Sequence, residues 1–139
     1  MPKLNNYHIM ISHSWDYSED YETVMGWLDD CNCFEWSNYS VPVDNKIDVD
    51  TNSELKEKLE NRIKSCSCLI VLSGMYAAYS KWIEFEIKTA RTYGKPIIAV
   101  RPRNQERVPE VIHKNATTEV GWYSTSVVNA VRNYGLRIS

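Results

Sequence analysis

The chain has 139 residues, of which 43% are hydrophobic, 12% aromatic and 24% charged. This is the length and composition of one folded domain, not of a disordered chain. The 16 basic and 18 acidic residues leave a net charge of −2, which excludes the basic field that drives nonspecific nucleic-acid binding. Its apolar runs fall far short of the ~18 residues that a membrane-spanning helix needs.

The first half of the chain alternates between strand-like and helix-like segments. Tyr7–Ser12 and Phe34–Tyr39 are predicted strands because they are rich in β-forming residues. A helix that starts near Ser14–Asp16 separates them, with apolar residues at the i, i+3, i+4 and i+7 spacing of one helical face. After Ser40–Asn52, a polar loop long enough to suggest a function, Ser53 caps a second helix.

The second half continues the same alternation. Cys66–Ser73 and Lys95–Val100 are nearly all apolar, which is typical of strands buried on both faces. A helix capped by Ser80 and ended by Gly94 is predicted between them. Beyond a polar loop that starts at Arg101, the chain forms a fifth strand and a last helix. These two elements are predicted over Glu119–Tyr123 and Ser124–Tyr134.

This alternation predicts an α/β fold with a parallel sheet and helices on both of its faces. A five-stranded, flavodoxin-like sheet fits the length, and residues 1–139 are expected to form a single domain. Ligands of such sheets bind beside the carboxyl ends of the strands, where the strand order reverses. The segments that follow the strands are rich in Ser, Tyr, Trp and Asp, which suits a planar, hydroxylated ligand such as a nucleotide. The same residue types also populate turns.

Glu86 interrupts the apolar face of the third predicted helix. It occupies the i+3 position after Ile83, between Ile83 and Ile87, and Trp82 precedes it by four residues. A carboxylate directed at a sheet is costly unless it is paired or used in chemistry. Two interpretations stay open on the pattern alone: Glu86 serves a reaction, or it reaches solvent or an ion pair at the border of the stripe.

The N-terminal residues Met1–Asn6 lack the apolar stretch of a secretory signal peptide. We therefore expect a cytoplasmic protein with free thiols and without nucleic-acid or membrane partners. The C-x-C spacing of its cysteine pairs differs from that of zinc knuckles, so we predict no metal site. The four cysteines are Cys31, Cys33, Cys66 and Cys68.

Several segments resemble TIR domains in their order and spacing. Ile9–Ser14 is similar to the TIR first strand and loop, and Ser80–Ile87 is similar to the helix that carries the W-x-x-x-E motif. A finer resemblance, to the TIR-like proteins of bacterial Thoeris antiphage defence, spans Tyr7 to Arg132. It is carried by Ser12–Tyr17, Asn38–Pro42, Leu72–Tyr79, Arg107–Val111 and Val120–Trp122.

The resemblance implies an enzyme that cleaves the nicotinamide–ribose bond of NAD and makes a cyclic ADP-ribose-type signal for a separate effector protein. It places the catalytic glutamate at Glu86, implies no metal or cofactor besides NAD as substrate, and matches Tyr39–Asn52 to the BB loop, which helps to set assembly and substrate access. Substrate-binding residues are then expected at the ligand edge. They are Ser12, His13, Ser14, Trp15, Ser73 and Trp82.

Two other functions remain open. The TIR fold also hosts noncatalytic interaction modules that act by assembly, and self-assembly is an expected property in either case. A nucleoside deoxyribosyltransferase-like enzyme shares the fold type and acts on a related glycosidic bond. Loss of turnover in Glu86→Ala separates an enzyme from an assembly module, and substrate preference separates the two enzymes.

Overall fold

A computed structural model of the protein describes residues 6–12, 19–32, 34–40, 53–73, 76–101 and 108–135, with positions 76–80 described by their backbone alone. Strands and helices alternate through these residues. In chain order they are β1 (Asn6–Ser12), α1 (Glu19–Asp30), β2 (Glu35–Asn38), α2 (Ser53–Ser65), β3 (Cys68–Leu72), α3 (Tyr76–Thr92), β4 (Ile97–Val100), α4 (Glu110–Asn115), β5 (Thr118–Val120) and α5 (Ser124–Tyr134).

The described strands form one parallel sheet in the order β2-β1-β3-β4-β5. This confirms the predicted five-stranded, flavodoxin-like α/β fold. The chain builds outward in one direction from β1 to β2 and in the other from β3 to β5, so the strand order reverses between β1 and β3. Ser12, the last residue of β1, pairs in register with Val71 of β3. The carboxyl ends of these two strands therefore flank the position where ligands bind in such sheets.

Helices cover both faces of the sheet, because alternate residues of each buried strand point to opposite sides. On one side, Met10 and Val71 belong to a core shared with α2, α3 and α4. On the other side, Ile9 and Ile70 belong to a core shared with α1 and α5. Both cores are needed to bury strands as apolar as β3, which is buried along its whole length.

The structure corrects one predicted helix start and adds one helix that the sequence analysis did not predict. α3 begins at Tyr76, so the prediction that Ser80 caps it is wrong: the Ala-containing segment before Ser80 favours helix and extends α3 by a turn. α4 was not predicted, because six residues give too little periodicity to detect. It begins after Pro109, whose φ of −53° suits a helix start, and it buries Ile112.

Other boundaries agree more closely. α5 spans the predicted residues, and the helix α3 is followed by Gly94 with a φ of 67°, the left-handed conformation that glycine adopts readily. The strands β3 and β4 are shorter than predicted, whereas β5 begins one residue before and ends three residues before the predicted Glu119–Tyr123. Most of the predicted loop Ser40–Asn52 lies outside the described residues. None of the described helices is long and apolar enough to cross a membrane.

Candidate active site

Glu86 lies on the buried face of α3, where the sequence pattern placed it. Its exposed fraction is 1%, so it does not reach solvent at the border of the apolar stripe. Ile83 and Ile87 flank it within the core between α3 and the sheet. The partner of Glu86 among the described residues is a neutral hydroxyl and not a lysine or arginine. The predicted inward orientation of Glu86 is therefore confirmed.

The hydroxyl that contacts Glu86 belongs to Ser12, at the carboxyl end of β1. Ser12 Oγ donates a hydrogen bond to Oε1 of Glu86, with 3.0 Å between the two oxygens. Met10 faces α3 from β1, and the two-residue period of a strand puts Ser12 on the same side. The fold thus brings together two fully buried polar side chains that are 74 residues apart in the sequence.

Burial changes the acidity of Glu86. Removal of the carboxyl from water raises the pKa of Glu86 to about 8, while the hydrogen bond from Ser12 acts in the opposite direction because it favours the charged form. At pH 7 the carboxyl of Glu86 is therefore mostly protonated in the absence of a ligand. A carboxyl with such a pKa, beside a ligand edge, is typical of functional sites.

Two buried oxygens at this edge have no hydrogen-bond partner among the described residues. They are Oε2 of Glu86 and Oγ of Ser73. Ser73 directly follows β3 and is 4% exposed. A buried polar atom without a partner costs about 1–3 kcal/mol. Since native proteins contain few of them, this pair marks a place where a ligand or water can supply the missing bonds.

Trp82 lies one helical turn before Glu86 and is 4% exposed. Its ring meets that of Phe85 edge-on, with the centroids 6.1 Å apart, and it belongs to the core on the α3 side of the sheet. The structure therefore gives Trp82 a packing role beside the carboxyl. The expectation that this ring stacks on a ligand stays a prediction.

Three of the predicted binding residues belong to the segment that follows β1. His13, Ser14 and Trp15 directly follow Ser12 in the chain, but they lie outside the described residues. Their assignment to the substrate stays a prediction. Ser12 and Ser73 are thus the predicted hydroxyl residues that the structure brings to the edge where Glu86 lies.

Ser40 makes a contact here that the sequence analysis did not single out. Its hydroxyl accepts a hydrogen bond from the backbone N–H of Ile11, at 2.9 Å, one residue before Ser12. The backbone N–H of Tyr39 likewise donates to the carbonyl of Ile9 at 2.8 Å. The segment after β2 therefore secures the end of β1. The sequence signal for Ser40 was only its place after a strand, which does not tell a contact from a turn residue.

The cysteines that the structure describes have free thiols. Cys66 and Cys68 are buried at the start of β3, and burial raises the pKa of both thiols, which disfavours the thiolate that binds metals. Cys31 lies elsewhere, at the end of α1, and Cys33 is outside the described residues. Among the described residues, no group of three or more potential ligands is arranged to hold a metal ion.

The family described as the TIR-like domain of the Thoeris protein ThsB matches residues 10–107. This stretch is well over half of the chain and contains Ser12, Ser73 and Glu86. The chain belongs to this family. The resemblance seen in the sequence motifs is therefore confirmed, and with it the TIR-like form of the flavodoxin-like fold. No curated protein sequence matches the chain.

A solved structure extends the likeness beyond the family match. The chain is similar to the CMP N-glycosidase BcmB of Clostridium botulinum, with a TM-score of 0.55 and 15% sequence identity. The alignment covers 91% of this chain and 99% of BcmB. At this identity the likeness shows a shared fold, and it extends past the 10–107 match of the family.

Proposed function

We propose that this protein is a TIR-type enzyme that cleaves the nicotinamide–ribose bond of NAD, with Glu86 as the catalytic carboxylate. The observation that carries the proposal is the buried Glu86 carboxyl, held by Ser12 at the carboxyl edge of the sheet with one oxygen unpartnered among the described residues. Membership of the ThsB TIR-like family supports a TIR-type role. The name of BcmB, a CMP N-glycosidase, supports attack on a nucleotide's N-glycosidic bond.

The chemistry suits a lone carboxylate. When the bond between ribose C1′ and the nicotinamide nitrogen breaks, its electron pair leaves with the nitrogen and a cationic, oxocarbenium-like ribosyl centre remains. Nicotinamide is a cation in NAD and leaves as a neutral molecule, so the reaction needs no strong general acid. A carboxylate at Glu86 stabilises the developing positive charge or orients the ribose hydroxyls.

The substrate itself favours the reactive form of Glu86. A nearby positive charge lowers the pKa of a carboxyl group, and the nicotinamide ring of NAD brings such a charge to the site. Bound NAD therefore opposes the effect of burial, which holds the pKa of Glu86 at about 8. The carboxylate is needed only when the substrate is present, and we expect it to form then.

The product depends on what attacks the ribosyl centre. Water gives ADP-ribose, whereas a nucleophile within the same molecule gives a cyclic product, which proximity favours. We propose the cyclic product, as a diffusible signal that activates a separate effector in antiphage defence. The noncatalytic assembly module is the second candidate, because one fold supports both roles.

The test is mass spectrometry of small molecules after the purified protein is incubated with NAD, CMP or a 2′-deoxynucleoside. Lysates of phage-infected cells that express the protein provide any trigger that the purified chain lacks. Glu86→Ala is compared with Glu84→Gln, which removes an exposed carboxylate from the same helix. Circular dichroism checks that each variant is folded.

We expect nicotinamide and a cyclic ADP-ribose isomer from the wild type and from Glu84→Gln, with at least a ~100-fold loss in Glu86→Ala. Linear ADP-ribose alone identifies a hydrolase. If cytosine is released from CMP, or a base from the deoxynucleoside, and NAD is not cleaved, the enzyme acts on a different glycosidic bond from the one proposed. If no product forms in any sample, the enzymatic proposal fails and the assembly module is the better account.

A further inference from the structure

The position of Ser12 is fixed by the centre of the sheet. β1 pairs with β2 on one side and with β3 on the other, and Ser12 is fully buried at its end. Ser12 pairs in register with Val71 of β3. On the β2 side, where strand pairing ends at Ile9, the Ser40 hydroxyl binds the adjacent backbone N–H of Ile11. The Ser12 side chain therefore has little freedom to move its hydroxyl. Its hydrogen bond to Oε1 therefore holds one oxygen of Glu86 in place from an element distant in sequence.

We propose that Ser12 is a positioning residue, which acts on the reaction through Glu86 and directs Oε2 towards the ribosyl centre of the substrate. One carboxyl oxygen of Glu86 accepts the Ser12 hydrogen bond, and the other has no partner among the described residues. This geometry gives the two oxygens different roles: Oε1 is held by Ser12, and Oε2 is left for the substrate. The kinetic part of the inference rests on the proposed function, whereas the bond itself can be tested without turnover.

Ser73 provides a natural comparison for Ser12. Both are buried serines at the carboxyl ends of neighbouring strands, but the Ser73 hydroxyl has no partner in the described part of the chain. A serine already engaged with Glu86 acts through that residue, while one with an unused hydroxyl is available to the substrate. The same substitution at the two positions should therefore change different kinetic properties.

The charged groups on the helices packed against α3 are either exposed or engaged with other partners. Lys56 of α2 lies over the ring of Phe85, Glu60 of α2 accepts a hydrogen bond from Tyr93, and Lys114 of α4 pairs with Glu110. On α3 itself the neighbouring charges, Glu84 and Lys88, are exposed, and the residue that follows β3, Ser73, is neutral. The Ser12 hydroxyl is the group among the described residues that favours the ionised form of Glu86.

The kinetic test compares kcat/KM as a function of pH for the wild type, Ser12→Ala, Ser12→Thr and Ser73→Ala. In Ser12→Ala the midpoint of the rising limb should move up by about one pH unit, because the charged form of Glu86 loses a hydrogen bond. Activity at pH 7 should then fall about tenfold. Ser12→Thr keeps the hydroxyl and should restore the wild-type midpoint, while Ser73→Ala should raise KM and leave the midpoint unchanged.

A measurement without substrate separates this inference from the proposed function. Protein labelled with ¹³C at its glutamate carboxyls is titrated by NMR, and Glu86→Gln identifies the Glu86 signal. We expect a midpoint near pH 8 in the wild type, a higher one in Ser12→Ala, and the wild-type value in Ser73→Ala. If the Glu86 midpoint of Ser12→Ala is higher than that of the wild type but no substrate is cleaved, the proposed function fails, and the effect of Ser12 on Glu86 is still supported. If Ser12→Ala and the wild type titrate together, the positioning role is overturned, whatever the kinetics.

Discussion

The two sides of the sheet are built from similar apolar residues but differ in what else they bury. The side covered by α1 and α5 has a core of aliphatic, aromatic and cysteine side chains. The buried polar residues of the described chain belong to α3, bond to it, or end the strand that leads into it. They are Ser12, Ser73, Glu86 and Thr89. The contrast indicates that the α3 side bears a cost in stability that packing alone does not require.

Burial of a polar group is not sufficient to mark a site, as Thr89 illustrates. Its hydroxyl donates a hydrogen bond to the carbonyl of Phe85 at 2.8 Å, one turn back along the same helix. Thr89 therefore has its hydrogen-bond partner within its own helix. Glu86, three residues earlier, takes its partner from another element and keeps one oxygen unpartnered among the described residues. The candidate site is distinguished by a buried oxygen that has no hydrogen-bond partner among the described residues, and not by burial alone.

The presence of a cavity is an equally poor indicator of the functional site in this protein. A cavity of about 350 Å³ lies between α1 and α5, on the side of the sheet away from Glu86, with Trp27 and Arg132 among its lining residues. The Arg132 guanidinium already donates to the carbonyl of Asn32 at 3.3 Å and lies over the Phe34 ring. Glu86, with one oxygen unpartnered among the described residues, lies on the α3 side of the sheet, and the proposed active site is therefore on that side.

The largest expected effects test whether the two sides are equal in their apolar packing. Leu28→Ala, on the α1 side, and Leu59→Ala, on the α2 side, each truncate a side chain with no exposed surface. Each should lower the free energy of unfolding by about 3–5 kcal/mol, measured by urea denaturation at pH 7. A loss below about 1 kcal/mol at either position would mean that this side is loosely packed and that the comparison fails there.

The second-largest expected effect is an increase in the free energy of unfolding, and it depends on pH. Glu86→Gln should stabilise the protein at pH 8 by on the order of 4 kcal/mol, because the wild type loses free energy either by keeping its buried carboxyl protonated or by ionising it. Burial raises the pKa of Glu86 from its ordinary value of 4.5 to about 8. The contribution of Glu86 to the stability of the wild type is therefore greatest below pH 4.5 and falls as the pH rises to 8.

Urea denaturation of both proteins from pH 5 to pH 8 checks this prediction. The advantage of Glu86→Gln should shrink steadily as the pH falls towards 4.5, where the unfolded chain also holds the proton. Glu84→Gln, at an exposed position of the same helix, should change stability by less than about 0.5 kcal/mol throughout. An advantage that is constant with pH would show that the Glu86 carboxyl is not perturbed by burial.

The smallest expected effect concerns Ser73. Ser73→Ala removes a buried hydroxyl that has no partner among the described residues, so stability should stay the same or rise by up to about 1 kcal/mol. The midpoint of thermal unfolding without ligand checks this, and KM for the substrate should increase in the same variant. A destabilisation above about 1 kcal/mol would assign the Ser73 hydroxyl a structural bond instead of a ligand.

The fold could be predicted from the sequence because its signals are local. The continuous apolar runs that became β3 and β4 indicated buried parallel strands, and the 3.6-residue period of α5 predicted its bounds. The same period placed Glu86 on the buried face of α3. The short helix α4 and the start of α3 were missed, since six residues carry little periodicity and Ser80, a residue common at caps, is also tolerated within a helix.

By itself, then, the sequence determined which segments are strands and helices, which faces are apolar, and that one carboxyl interrupts an apolar helix face. Only the tertiary structure decided what that carboxyl meets. The bond between Ser12 and Glu86 joins residues 74 positions apart, and it depends on β1 lying beside β3 in the observed register. Periodicity specifies the face of an element but not its neighbour. The order of the strands therefore decided that Ser12 holds Glu86, while Ser73 keeps its hydroxyl unpartnered among the described residues.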